Sequence, residues 1–146
     1  MTYSRRLGQY KKVGVETAGK LDLVIMSYDK ALEMLRHAKQ HYVERRFEEK
    51  AADLKKALDI INSLQSAINF EKGGEIAKNL DSIYTYLTRR LLEGDSRKDM
   101  TVFDEAIRIL SELGEAWRSI ASGDRTDADR IPVLPQPEMK VTQIAA

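Results

Sequence analysis

The chain has 146 residues, with 24 lysines and arginines against 23 aspartates and glutamates and no cysteine. That length suffices for one domain with its own core, and the missing thiol excludes disulfides, thiol catalysis and cysteine-ligated zinc while leaving the redox compartment open. A net charge of +1 with the two signs interspersed, as in LRHAKQHYVERRFEEK, is no footprint for nucleic acid or for an anionic membrane. No stretch approaches the roughly 18 to 20 apolar residues of a membrane span, and YSRRLGQYKK near the start is too polar for a signal peptide, so a cytoplasmic protein is expected.

Met1 to Gly19 carries isolated apolar residues (Tyr3, Leu7, Tyr10, Val13, Val15) without a long period. It is expected to form an arm, extended or as a short extra helix, laid on the folded part. The division expected is an arm over 1–19, a helical domain over 20–122 and a flexible tail over 123–146. All three prolines lie in the last fifteen residues, so the rest of the chain is free to be helical.

The first helix is expected from about Lys20 to Glu44. Leu21, Val24, Ile25, Tyr28, Leu32 and Leu35 share one stripe at 100° per residue, while Leu23, Met26 and Met34 point elsewhere. This helix therefore has more apolar surface than one core face requires. Within it, HAKQH places His37 and His41 one turn apart, a spacing that can chelate a metal with Glu33 or Glu44 as an oxygen ligand. Both histidines project away from the stripe, which makes solvated surface residues the simpler expectation.

Neither glycine nor proline separates Lys20 from Lys72. A break is placed at the polar run Glu44 to Arg46, because an unbroken helix would be about 75 Å long. The second helix, Phe47 to Phe70, aligns Leu54, Ala57, Leu58, Ile61, Leu64 and Ile68. Gly73 and Gly74 then read as a stop and a turn. The third helix, Glu75 to Glu93, aligns Ile76, Leu80, Ile83, Tyr84, Leu87 and Leu91. Arg90 sits on the flank of that stripe, either with its stem on the core and its head in water or in an ion pair. Leu92 lies off the stripe and joins Leu23, Met26 and Met34 as surplus apolar surface, the mark of a binding groove or a self-association face.

The fourth helix, Asp99 to Ser122, aligns Phe103, Ala106, Ile107, Leu110, Leu113, Trp117 and Ile120. Four amphipathic helices with short connections predict an all-α, antiparallel four-helix bundle. The segment beyond Ser122 mixes charges and then clusters prolines in PVLPQP, so a disordered tail is expected there. Chemistry is sparse along the whole chain. The Glu-x-x-His signature of di-iron bundles is missing, no serine or threonine sits in a nucleophile motif, and two histidines outside any triad-like context support no hydrolase. Neither an enzyme nor a cofactor is expected.

Glu71 to Asp95, EKGGEIAKNLDSIYTYLTRRLLEGD, resembles the hallmark segment of the FliS family of flagellin export chaperones. VETA at Val15 to Ala18, MSYD at Met26 to Asp29, ALDIINSL at Ala57 to Leu64 and GEAWRSI ending at Ile120 extend the resemblance over roughly residues 10 to 121. It implies a four-helix bundle that binds the C-terminal segment of unassembled flagellin in the bacterial cytosol, prevents early polymerisation and helps deliver the subunit to the flagellar type III export apparatus. An export-gate component is a further partner to consider.

By the same resemblance, client contacts fall on Tyr10, Val15, Met26, Tyr28, Ile83, Tyr84, Leu87 and Leu91. The apolar arm adds Leu7, and the surplus surface adds Leu23, Met34 and Leu92. Core packing competes with a groove role throughout, and is preferred for Tyr28, Ile83 and Leu87. This chain departs from the family at Gly19-Lys20, where a Ser-Pro or Thr-Pro step is usual, at Leu7 in place of a tyrosine, and at Ser27 and Lys30. The alternative is a helical-bundle interaction protein that binds itself, as a weak homodimer, or binds another regulator.

Overall fold

The computed structural model describes residues 16–123. The expected arm, with Leu7, Tyr10 and Val15, and the expected tail beyond Gly123 lie outside the described residues. Within them the chain forms α1 (Glu16–Val43), α2 (Phe47–Ser66), α3 (Phe70–Arg97) and α4 (Thr101–Ala121), and this is the all-α bundle that the spacing predicts. α1 begins four residues earlier than expected and runs through Gly19, so the roughly 1 kcal/mol that glycine costs a helix interior does not stop it.

Two of the three connections are closed by residues in the left-handed conformation. Arg45 (φ 62°) ends α1, and the Arg46 N–H donates back to the His41 carbonyl at 2.8 Å; Lys98 (φ 61°) ends α3, and the Asp99 N–H donates to the Gly94 carbonyl at 2.8 Å. Both are helix-terminating turns of the kind in which glycine is the usual residue. Asp99 then accepts from the backbone N–H and the hydroxyl of Thr101, at 3.1 and 2.5 Å, at the start of α4.

The third connection corrects the expectation for the double glycine. α2 stops at Ser66 and α3 starts at Phe70, so the link is the three residues 67–69. Asn69 is extended, and its side-chain oxygen accepts the Lys72 N–H at 3.0 Å, a capping interaction that satisfies one of the free donors of the first turn. Gly74 lies inside α3 at φ 52°, ψ −126°, a conformation open to glycine and strained for any other residue. The pair is a kink that sets the first turn of α3 at an angle to the rest.

Pairs of side chains give the topology. His41 meets Asp53 across α1 and α2, Gln65 meets Asp81 across α2 and α3, Tyr86 meets Glu105 across α3 and α4, and Asp29 meets Arg118 across α1 and α4. Second contacts fix the directions: Lys50 meets Asp95 as Gln65 meets Asp81, Gly94 lies against Val102 as Tyr86 meets Glu105, and Lys39 meets Asp104 as Asp29 meets Arg118. Residue numbers thus rise along one helix as they fall along the other; with the short turn between α1 and α2, all four neighbouring pairs are antiparallel and the ring closes. α1 lies closest to α2 and α4, and α3 stands further from its neighbours. The core is built from the predicted stripes, with Tyr28, Leu35, Ile61, Ile83, Leu87, Leu91, Phe103 and Leu110 almost wholly buried. Burying a large aliphatic or aromatic side chain contributes about 1.5 to 3 kcal/mol.

Candidate functional site, an apolar cleft at the kinked end

The kink leaves a cleft of about 320 Å³ at one end of the bundle, lined by Val24 of α1, Leu64, Ala67 and Ile68 around the end of α2, Asn69, Lys72, Gly73, Ile76, Ala77, Leu80 and Tyr84 of α3 with its cap, and Trp117 of α4. All four helices thus contribute. The space follows from the backbone. Gly73 approaches Ala77 so closely that a Cβ on it would lie 2.6 Å from the alanine methyl, so no side chain projects there. Lys72 and Asn69 supply the polar part of the lining, and the volume falls in the range of sites that take up apolar groups.

Beneath the cleft, α1 and α3 are joined through the core. The hydroxyls of Tyr28 and Tyr84 lie 2.5 Å apart, both residues are buried, and Tyr84 also borders the cleft. Burial pushes the Tyr28 hydroxyl up to about 12, against a smaller downward pull from its hydrogen bond to Tyr84 and from the Trp117 indole; burial raises Tyr84 well above the ordinary tyrosine range too, reinforced by Tyr28. The Trp117 N–H is buried without completing a hydrogen bond of normal geometry, so the indole shares this polar pocket without closing it.

The residues singled out in the sequence divide into distinct locations. Leu23, Met26 and Leu92 are exposed, at 38, 43 and 51%. Leu23 and Met26 flank Val24 on α1, whereas Leu92 lies towards the opposite end, one turn before Asp95. Met34 corrects the spacing argument: it is only 5% exposed and packs into the core. α1 is contacted by both α2 and α4 and reaches Tyr84 of α3, so its buried face is broader than one stripe. Tyr28, Ile83, Leu87 and Leu91 are core residues, each at most 1% exposed. The cleft walls Val24, Ile68, Ile76, Leu80 and Trp117 belong to the predicted core stripes, and only the kink distinguishes them from the core.

His41 is also corrected. It is half-buried, with Nδ1 2.6 Å from Asp53 on α2, so it ties two helices instead of standing in solvent. No group of three metal-binding side chains occurs among the described residues. Arg90 takes the ion-pair alternative, with its Nε–H 3.5 Å from Glu105, whose other oxygen accepts the Tyr86 hydroxyl at 2.7 Å. Tyr86 is raised by burial first and then by this carboxylate. No helix among the described residues is long and apolar enough to cross a membrane.

A four-helix bundle whose helices diverge at one end around an apolar cleft, with no group of three metal-binding side chains among the described residues, has the form of a helical scaffold with an open apolar groove. Comparison with known proteins places it more narrowly. The sequence profile described as "Flagellar protein FliS" matches residues 3–124, and the chain belongs to that family. It is 36% identical over 118 residues to the flagellar secretion chaperone FliS of Vibrio cholerae, spanning 78% of this chain and 87% of the relative. The Salmonella typhimurium chaperone of the same name is 37% identical over 117 residues, spanning 77 and 87%. The flagellar secretion chaperone FliSB of Pseudomonas aeruginosa is 31% identical over 121 residues, spanning 80 and 96%.

Proposed function

We propose that this protein is a flagellin export chaperone of the cytosol, which binds the C-terminal segment of unassembled flagellin, keeps it from polymerising and aids its delivery to the flagellar type III export apparatus. Family membership over most of the chain carries this reading. The physical argument supports it. A filament subunit's terminal segment is amphipathic and lacks its neighbours before assembly, so its apolar face needs temporary cover. The cleft at the kinked end and the exposed Leu23, Met26 and Leu92 offer apolar surface outside the core. Met26 suits such a role, since an unbranched thioether side chain repacks around different partners. Ordering the client on binding offsets several kcal/mol of the gross contact energy, which favours a complex that can be handed on. No catalytic step is part of this function.

Calorimetric titration with a peptide from the C-terminal segment of the same organism's flagellin tests the proposal. One-to-one saturable binding, a negative heat-capacity change and a gain of peptide helicity are expected. A protein that instead dimerises with concentration and ignores the peptide would be a self-associating bundle, and the chaperone assignment would fail.

A further inference from the structure

We infer that the cleft has an occupant within this chain, namely the proline-bearing segment Ile131 to Pro135 of the C-terminal tail, which docks against Trp117. The matched family region ends at residue 124, so this segment lies beyond the part shared with the relatives. Its starting point is fixed: α4 ends at Ala121, and Gly123 at φ 90° turns the chain out of the helix little more than one turn past Trp117. From Gly123 the polar spacer DRTDADR reaches Ile131 in eight residues, a span of up to about 26 Å. The cleft is well within reach.

The chemistry of the segment fits. Ile131 and Leu134 each precede a proline, which biases both towards extended backbone and lowers the entropy lost on docking. An extended prolyl strand with aliphatic side chains is a ligand for apolar, aromatic-bearing grooves. Charge favours the tail over the other free end of the chain. Lys72 is the one charged residue among those lining the cleft; the spacer, with Asp124, Asp127 and Asp129 against Arg125 and Arg130, carries a net charge of −1, whereas the segment preceding α1 carries Arg5, Arg6, Lys11 and Lys12 and no acidic residue. The tail thereby acts as a built-in competitor for this part of the surface; that consequence rests on the proposed client, while the docking does not.

Trp117 is the chain's only tryptophan, so its fluorescence reports on the cleft directly. In the full-length protein, Ile131→Ser/Leu134→Ser is expected to shift the Trp117 emission to the red and to raise its quenching by acrylamide, with the circular dichroism of the bundle unchanged. The matched variant Val141→Ser/Ile144→Ser, in the same tail but outside the proposed segment, is expected to leave both readouts in place. No response to the Ile131/Leu134 variant overturns the docking, and so does a response confined to the Val141/Ile144 variant. If the tail fills the cleft in nine molecules of ten, the Ile131/Leu134 variant also binds the flagellin peptide about tenfold more tightly. A fluorescence response without any peptide binding would remove the proposed client and keep the docking.

Discussion

The two ends of the bundle are built on opposite plans. At the end holding the α1–α2 and α3–α4 turns, the helices are drawn together: Gly94 of α3 sits so close to Val102 of α4 that a Cβ would fall 2.7 Å from the valine Cβ, Lys50 of α2 pairs with Asp95 of α3 and lies 5.8 Å from the Tyr42 ring, and His41 is held by Asp53. At the other end α3 is kinked away and an apolar cleft remains. Polar pairs span neighbouring helices at both ends, Asp29 with Arg118 and Gln65 with Asp81 beside the cleft, but only the closed end adds the backbone approach of Gly94 to Val102, whereas the open end keeps apolar surface without side chains of its own to fill it. The closed end holds the helices in register, and that lets the open end diverge without loss of the fold.

The sharpest way to break this division is to force the closed end apart. Gly94→Val places branched carbons inside the van der Waals shell of Val102, and overpacking of this kind costs about 3 kcal/mol. Chemical denaturation should show that loss. A change within a few tenths of a kcal/mol would mean that the α3–α4 approach is soft, and that the two ends differ less than their geometry implies.

The Tyr28–Tyr84 pair lies between the ends and tests whether the core beneath the cleft is rigid. Tyr28→Phe leaves the Tyr84 hydroxyl buried without its partner, at a cost of about 2 kcal/mol, while the double change to phenylalanine removes both groups and recovers much of that loss. The pH dependence has a definite sign. Both hydroxyls titrate higher in the folded state than the ordinary value of 10, so their contribution is complete below pH 10 and falls as the pH rises from there towards about 12. Alkaline titration of stability should show that decline in the parent, and a flatter profile over the same range in the double variant.

How far the sequence reaches into this comparison depends on the physics of each feature. Helices and core are legible in it, because the 3.6-residue spacing of Leu54, Ile61 and Leu64, or of Phe103, Leu110 and Leu113, fits a helix buried on one face and neither a strand nor a loop. The division into two ends is not. Val24, Ile76 and Trp117 have the composition of core, and they border a cleft only because the backbone bends at Gly74; the glycine pair is visible, but its role depends on Asn69 being the cap that already opens α3. Met34 escapes the spacing argument for a related reason. A helix that packs on three others buries more than one stripe, and a single chain's periodicity does not say how many neighbours a helix will have.

A milder perturbation acts on the open end. Gly74→Ala meets no steric obstacle, since nothing lies within 4 Å of the added carbon, yet φ 52° with ψ −126° strains any residue bearing a Cβ by about 1 to 2 kcal/mol. The strain can be borne as lost stability or relieved by straightening α3, which would swing its first turn and reshape the cleft. Thermal unfolding together with Trp117 emission separates these outcomes. A variant with parent stability and parent emission would show that the kink is incidental to the cleft.

The smallest effect returns to the closed end and has the opposite sign. Lys98 holds a left-handed conformation that costs a residue with a Cβ about 1 kcal/mol or slightly more, and glycine removes that cost while adding somewhat less in unfolded-chain entropy. The Lys98 side chain is exposed and no interaction of it is lost. Lys98→Gly should therefore stabilise the protein by about 0.5 kcal/mol, a rise of about 1 to 2 °C in Tm for a chain of this size. Had the turn been maintained by the lysine side chain, the same substitution would lower Tm. A rise would mean that the backbone alone, through the Asp99 N–H bond to Gly94, sets the angle at which α3 meets α4, and so determines how tightly the end opposite the cleft is shut.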